Sequence, residues 1–115
     1  MSTIASTRTP TANTRSFVVG WAALANGDAG EAISFSQYTD KSVQVVGAFG
    51  VGGVLRFEGS NNGTNWAPLT DPQGNPLDFQ ATKIEMVSEA TAWVRPRVTA
   101  GDGTTSLTVL ALLKE

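Results

Sequence analysis

The groups in this sequence able to do acid–base or ligand chemistry are ten carboxylates, eight Lys and Arg side chains and a supply of hydroxyls; histidine and cysteine are absent. No Ser-His-Asp or Cys-His nucleophile can be assembled from that inventory, no disulfide can form, and most zinc and copper sites lose their ligands. Carboxylate chemistry remains: a glycosidase pair set across a cleft, or a hard cation held by oxygens. The positions of the acids argue against both. Asp28, Asp40, Asp71 and Asp102 sit beside turns, where carboxylates cap backbone N–H groups, and Glu58 and Glu85 fall at outward strand positions, where water solvates them. Gly101-Asp102-Gly103 lacks the alternating acids of a calcium loop. Gly50, Gly52 and Gly53 are followed by neither a helix start nor a Lys-Ser/Thr pair, so they read as a hairpin connection and not as a phosphate cradle. The inventory therefore points to no catalytic residue, no metal ligand and no cofactor, and to binding or structural work in place of an enzyme.

Aromatic and arginine residues are the better candidates. Trp21 and Trp93 lie in alternating strands, which favours the core, whereas Trp66 follows a turn and suits either core or surface. Arg95 and Arg97 share a strand face with Trp93. If that face is outward, the three make a protein-binding stripe, because Trp and Arg are favoured at binding hot spots. A second set of candidates comes from the first sixteen residues, rich in Ser, Thr, Ala and Asn: Ile4, Arg8, Pro10 and Arg15. This segment carries two arginines and no acid, while the rest has six bases and ten acids, so its charge is opposite to that of the body. It buries too little to order alone and reads as an extended arm over residues 1–16, either a free tail or a strap against a neighbouring subunit.

The elements that must position these residues are strands. Gly and Pro recur too often for a long helical period, and apolar residues alternate instead. Phe17–Leu24, Ile33–Gln37, Val43–Phe49, Val54–Glu58, Thr64–Leu69, Leu77–Gln80, Lys83–Met86, Trp93–Val98 and Leu107–Leu113 are the expected strands or strand fragments. Asn62-Gly63 predicts a tight type I′ hairpin turn, and Asp71-Pro-Gln-Gly74 a second turn with Pro and Gly at their favoured places. Pro68 predicts an edge position, and Pro96 an edge strand or a bulge. About eight short antiparallel strands, with turns every 8 to 12 residues, make an all-β domain over residues 17–115, a small β-sandwich or jelly roll with an extended N-terminal arm.

Composition narrows the partners. The chain has 115 residues, enough for one core, with 41% apolar residues, and only 16% charged residues against the roughly 25% of an ordinary soluble domain. Its formal charge of -2 and scattered bases do not suit nucleic acid. No apolar run is long enough to span a bilayer as a helix, and the first residues lack the order of a secretory signal, so synthesis in a cytoplasm is expected.

Two resemblances are carried by specific residues. Phe57-Glu-Gly-Ser-Asn-Asn-Gly-Thr-Asn-Trp66 and Ala92-Trp-Val-Arg-Pro-Arg-Val98 resemble strand ends of discoidin-type, galactose-binding-like jelly rolls, a likeness of fold that leaves the ligand loops unmatched. More broadly, Gly59–Trp66, Leu69–Pro76, Val94–Arg97 and Gly101–Ser106 resemble small bacteriophage capsid decoration, or cement, proteins. That resemblance implies a virion protein on the capsid exterior that reinforces contacts between major capsid protein subunits, as a homo-oligomer, dimer or trimer. The alternative is a carbohydrate- or receptor-binding β-sandwich module of a phage tail.

Overall fold

Alternation of apolar and polar residues builds two sheets whose inner faces close on each other. The computed structural model describes residues 2–12, 15–34 and 36–115. Among these are eleven strands: β1 (Thr3–Ile4), β2 (Ser6–Pro10), β3 (Ser16–Leu24), β4 (Ala29–Gly30), β5 (Asp40–Ala48), β6 (Val54–Ser60), β7 (Ala67–Pro68), β8 (Asp78–Phe79), β9 (Lys83–Val87), β10 (Trp93–Ala100) and β11 (Ser106–Lys114). One sheet runs β1-β4-β10-β6-β7, with β8 also paired to β6; the other runs β2-β3-β11-β5-β9. The last two strands of the chain are thus the centres of the two layers, and each sheet is named here by its central strand. The fold is an all-β sandwich.

The core is the set of inward positions: Phe17, Val19 and Trp21 from β3, Val43 and Val45 from β5, Leu55 and Phe57 from β6, Val94 and Val98 from β10, and Leu107, Val109, Ala111 and Leu113 from β11. Trp21 is wholly buried, packs edge-on to Phe57 with ring centroids 6.4 Å apart, and donates from Nε1 to the Glu31 carbonyl at 3.0 Å. A buried indole therefore keeps its polar atom satisfied.

The structure differs from the sequence reading at several places, each with a physical reason. Pro96 is not at an edge; it lies in β10, the centre of its sheet. It faces Phe57 of β6, whose N–H and C=O bond away from β10, to Leu77 and Leu69. The proline nitrogen therefore turns toward β4. There Val94 bonds Ile33 and Val98 bonds Asp28, and the ladder is interrupted between those bonds. A missing donor costs nothing at that gap. Gly30 makes room for the ring: a Cβ there would lie 2.6 Å from both Pro96 Cγ and Trp21 Cδ1. Pro68, by contrast, is in β7 at the end of its sheet order.

The Asn62-Gly63 hairpin forms, but as a longer loop. Only Gly63 has positive φ (76°), so a type I′ turn, which needs two such residues, is excluded. Side chains stitch the loop: Ser60 Oγ accepts from Gly63 N at 2.9 Å, and Asn62 Oδ1 accepts from Thr64 N and Asn65 N, each at 2.9 Å. Within the expected strand at 33–37, Phe35 lies outside the described residues; the described part contributes a single bridge, Ile33 with Val94.

The N-terminal segment is extended and pairs with its own body. β1 lies parallel to β4 at the edge of the β10 sheet, and β2 lies antiparallel to β3 at the edge of the β11 sheet. Ser2 N donates to Asp28 Oδ1 at 2.9 Å, and Ser6 donates from N and Oγ to Glu31 Oε1 at 3.1 and 2.7 Å. These bonds hold the Glu31 carboxyl below its usual pKa. Short polar residues left no hydrophobic signal for this pairing in the sequence; the backbone itself supplies the attraction.

Two positions give measurable consequences. Ala23 has φ 59° at a bulge where β3 shifts register against β11. Ala23→Gly is expected to raise stability by up to about 1 kcal/mol, read as the urea midpoint, and Ala23→Val to lower it. Asp102 accepts from Val51 N, Thr104 N and Thr104 Oγ1, which join the 101–105 turn to the 50–53 loop and hold its pKa at about 2 against an ordinary 3.8. Its contribution is complete above about pH 4 and fades as pH falls toward 2. Asp102→Asn should accordingly be less stable than wild type at neutral pH and match it at the acid end of a denaturation series.

Candidate functional site

The outer face of the β10 sheet carries the densest arrangement of binding-type side chains. Strand alternation puts Trp93, Arg95 and Arg97 outward from β10, and register places them opposite Ser60, Glu58 and Arg56 of β6. Glu58 is the keystone. It sits at an outward position and yet is only 2% exposed, because its neighbours cover it. Its Oε1 accepts from Arg95 Nε at 2.8 Å and from Arg97 Nε at 3.2 Å. The sequence reading left this carboxylate to solvent; two guanidiniums have replaced the water.

Arg95 is held on its other side as well, with its guanidinium carbon 4.1 Å above the Trp66 ring. Trp66 leaves the 61–65 loop, which reaches back to β10 through Ala92 N donating to Asn61 Oδ1 at 2.9 Å. Gly63 lies over the Trp93 indole: a Cβ there would stand 3.6 Å from Trp93 Nε1, and its φ of 76° favours glycine. Trp93, 36% exposed, is therefore a surface residue braced on one side, not part of the core like Trp21. At the other end of the row Arg56 Nε donates to Asp78 Oδ1 at 2.8 Å. Three arginines against two carboxylates leave the face one positive charge over, on a chain that is negative overall.

Such a surface can bind. Its arginines keep exposed nitrogens but cannot swing freely, since carboxylate and indole fix them, so little side-chain entropy is lost on docking. Of the ten carboxylates, eight (Asp28, Glu31, Glu58, Asp71, Asp78, Glu85, Glu89 and Asp102) accept a structural hydrogen bond or ion pair. Among the described residues no three or more His, Cys, Asp or Glu gather as a metal site.

The N-terminal candidates lie elsewhere. Arg8 is in β2 with its guanidinium 3.9 Å above the Phe17 ring, Pro10 faces Phe17 in register, and Ile4 packs partly against the core from β1. Arg15 holds the C-terminus, its carbonyl accepting from Glu115 N at 2.9 Å. The seven candidates thus divide into a clustered trio (Trp93, Arg95, Arg97) and four residues that fasten the terminal segments.

The fold is similar to that in the crystal structure of the SPBc2 prophage-derived protein YomS, with a TM-score of 0.68 over 92% of this chain and 100% of that one, at 13% identity. At that identity the likeness concerns fold. No protein-family model and no curated protein matches the chain.

The buried carboxylate makes a sharp energetic prediction. Arg95→Ala and Arg97→Ala should each cost about 1 kcal/mol, since the other guanidinium still covers Glu58. The double variant strands the charge and should cost about 3 kcal/mol, more than the sum. Adding Glu58→Gln to the double variant should recover much of that loss in urea denaturation.

Proposed function

We propose that the chain is a structural, non-enzymatic bacteriophage protein that binds the outer surface of the capsid and reinforces contacts between major capsid protein subunits. One observation carries this reading: a pre-ordered Trp93-Arg95-Arg97 row, backed by Glu58 and Trp66, on a sandwich fold also found in a prophage-derived protein. The carboxylates tied up in turns and ion pairs support binding over catalysis. The excess positive charge of the face suits an acidic patch on the coat, and the Trp–Arg combination supplies the anchors of a hot spot. Localisation follows as the virion exterior, after synthesis in the host cytoplasm.

A second reading, a glycan- or receptor-binding module of a tail, draws on Trp66 and Trp93 sharing one face. Arg95 lies over the Trp66 ring, however, so the flat platform that a sugar would stack on is already taken.

Co-sedimentation with mature, undecorated heads separates the two. Wild-type protein is expected to bind at a fixed ratio to coat protein. Trp93→Ala should weaken binding at least tenfold with little loss of stability, its side chain being partly exposed. Deleting residues 1–16 is a poorer probe, because it strips an edge strand from each sheet. No binding to heads, together with tryptophan quenching by a soluble glycan, would reverse the assignment.

A further inference from the structure

The opposite face of the sandwich has a different chemistry. Outward positions of the β11 sheet line up in two rows that run across all five strands. The first is Thr7, Gly20, Leu110, Gln44 and Ile84; the second is Thr9, Val18, Leu112, Ser42 and Met86. Neither row holds a charge. The charged outward residues of these strands are Asp40 and Lys114, which face each other in register at one end. A chain with eighteen charged side chains has kept them off the middle of an entire sheet face.

Two features indicate that this face is covered in the working protein. Strands β3 and β11 are apolar on both sides, as in Val18-Val19 and Leu110-Ala111-Leu112-Leu113, the pattern of strands packed on both faces. Ile84 and Met86 stand 59% and 51% exposed at one border, beyond what scattered surface residues need. No described segment of the chain covers them.

Size is distributed unevenly along both rows. From the central strand toward β2 the side chains are small or short, with Gly20, Thr7 and Thr9 forming a shallow groove with Val18 and Leu110. Toward β9 the rows end in the large projecting Ile84 and Met86. A two-fold axis lying in the face along β11 exchanges the two sides while keeping each row at its own level. Ile84 of one copy then meets Thr7 and Gly20 of the other, Met86 meets Thr9 and Val18, and Leu110 and Leu112 meet their own equivalents. Ridge falls on groove; at one end the two Lys114 side chains meet on the axis, each beside an Asp40 of its own copy, so the charges gathered there sum to zero.

We propose that this face is the interface between two copies of the chain, packed sheet to sheet about that axis. Self-complementarity is what an isologous contact requires, and it is absent from the Trp93–Arg97 face, where copies would bring arginines together. The inference does not depend on what the opposite face binds.

The chain lacks cysteine, so introduced thiols report alone. In this arrangement two Ile84 residues lie roughly 20 Å apart, two strands either side of the axis on facing sheets. Thr7→Cys combined with Ile84→Cys should give a covalent dimer with a short bis-maleimide, and either single variant should not. Sedimentation velocity should show wild type as a dimer, and Ile84→Glu with Met86→Glu as a monomer with an unchanged thermal midpoint. A monomeric wild type, or cross-linking of Ile84→Cys to itself, would overturn the proposal. So would a face shielded on phage heads alone, which would assign it to the coat protein.

Discussion

Trp21 is enclosed between the two sheets, its edge against Phe57 and its Nε1 bonded to the Glu31 carbonyl. Several separate features meet at that enclosure. Gly30 carries no side chain because Trp21 and Pro96 occupy the space a Cβ would need. The interruption of β4 that accommodates Pro96 is the same stretch that presents Glu31, whose carbonyl takes the indole proton and whose carboxylate ties down Ser6. Register in the β10 sheet follows, since Pro96 can stand only where the ladder is broken. Once that register is set, alternation sends Trp93, Arg95 and Arg97 outward. A sandwich with no disulfide thus holds its layers in place through one aromatic contact and the backbone gap beside it.

From that common core the two outer faces diverge. On the β10 sheet a charged row is made rigid by burying its own counter-ion: Glu58 would be costly without both guanidiniums, and they in turn are fixed by it and by Trp66. On the β11 sheet charge is kept to one end, and the largest projecting side chains stand at the β9 border. A polar, anchored face suits contact with a different protein, while a neutral, self-complementary one suits a second copy. The low charge content noted in the sequence is therefore uneven, and its distribution carries the information that the total does not.

Much of this was legible in the sequence. Alternation placed the inward residues of β3 and β6 and located β5, β10 and β11; it put Trp93, Arg95 and Arg97 on one strand face but favoured the core for Trp93, which is 36% exposed. The rest was hidden for definite reasons. Strands β1 and β2 pair through backbone bonds and leave no hydrophobic trace in a Ser- and Thr-rich segment. Glu58 looks like any outward glutamate until its cross-strand neighbours are known, and register is not written in one strand. Pro96 argues for an edge by a local rule, but the gap that admits it is made by Gly30 and Glu31, more than sixty residues earlier. The apolar outer positions of β3 and β11 were on view as unbroken hydrophobic runs, yet only the sheet order shows them side by side.

In the proposed arrangement the two faces of one sandwich serve two different contacts. Hydroxyl-radical footprinting of the protein, free and bound to undecorated heads, reads both at once, since Trp93 and Met86 are oxidisable side chains on opposite faces. Met86 should be shielded in free and bound protein alike, and Trp93 should react when free and be protected on heads. Equal oxidation of Trp93 in the two states, or a fully reactive Met86 in the free protein, would contradict this arrangement.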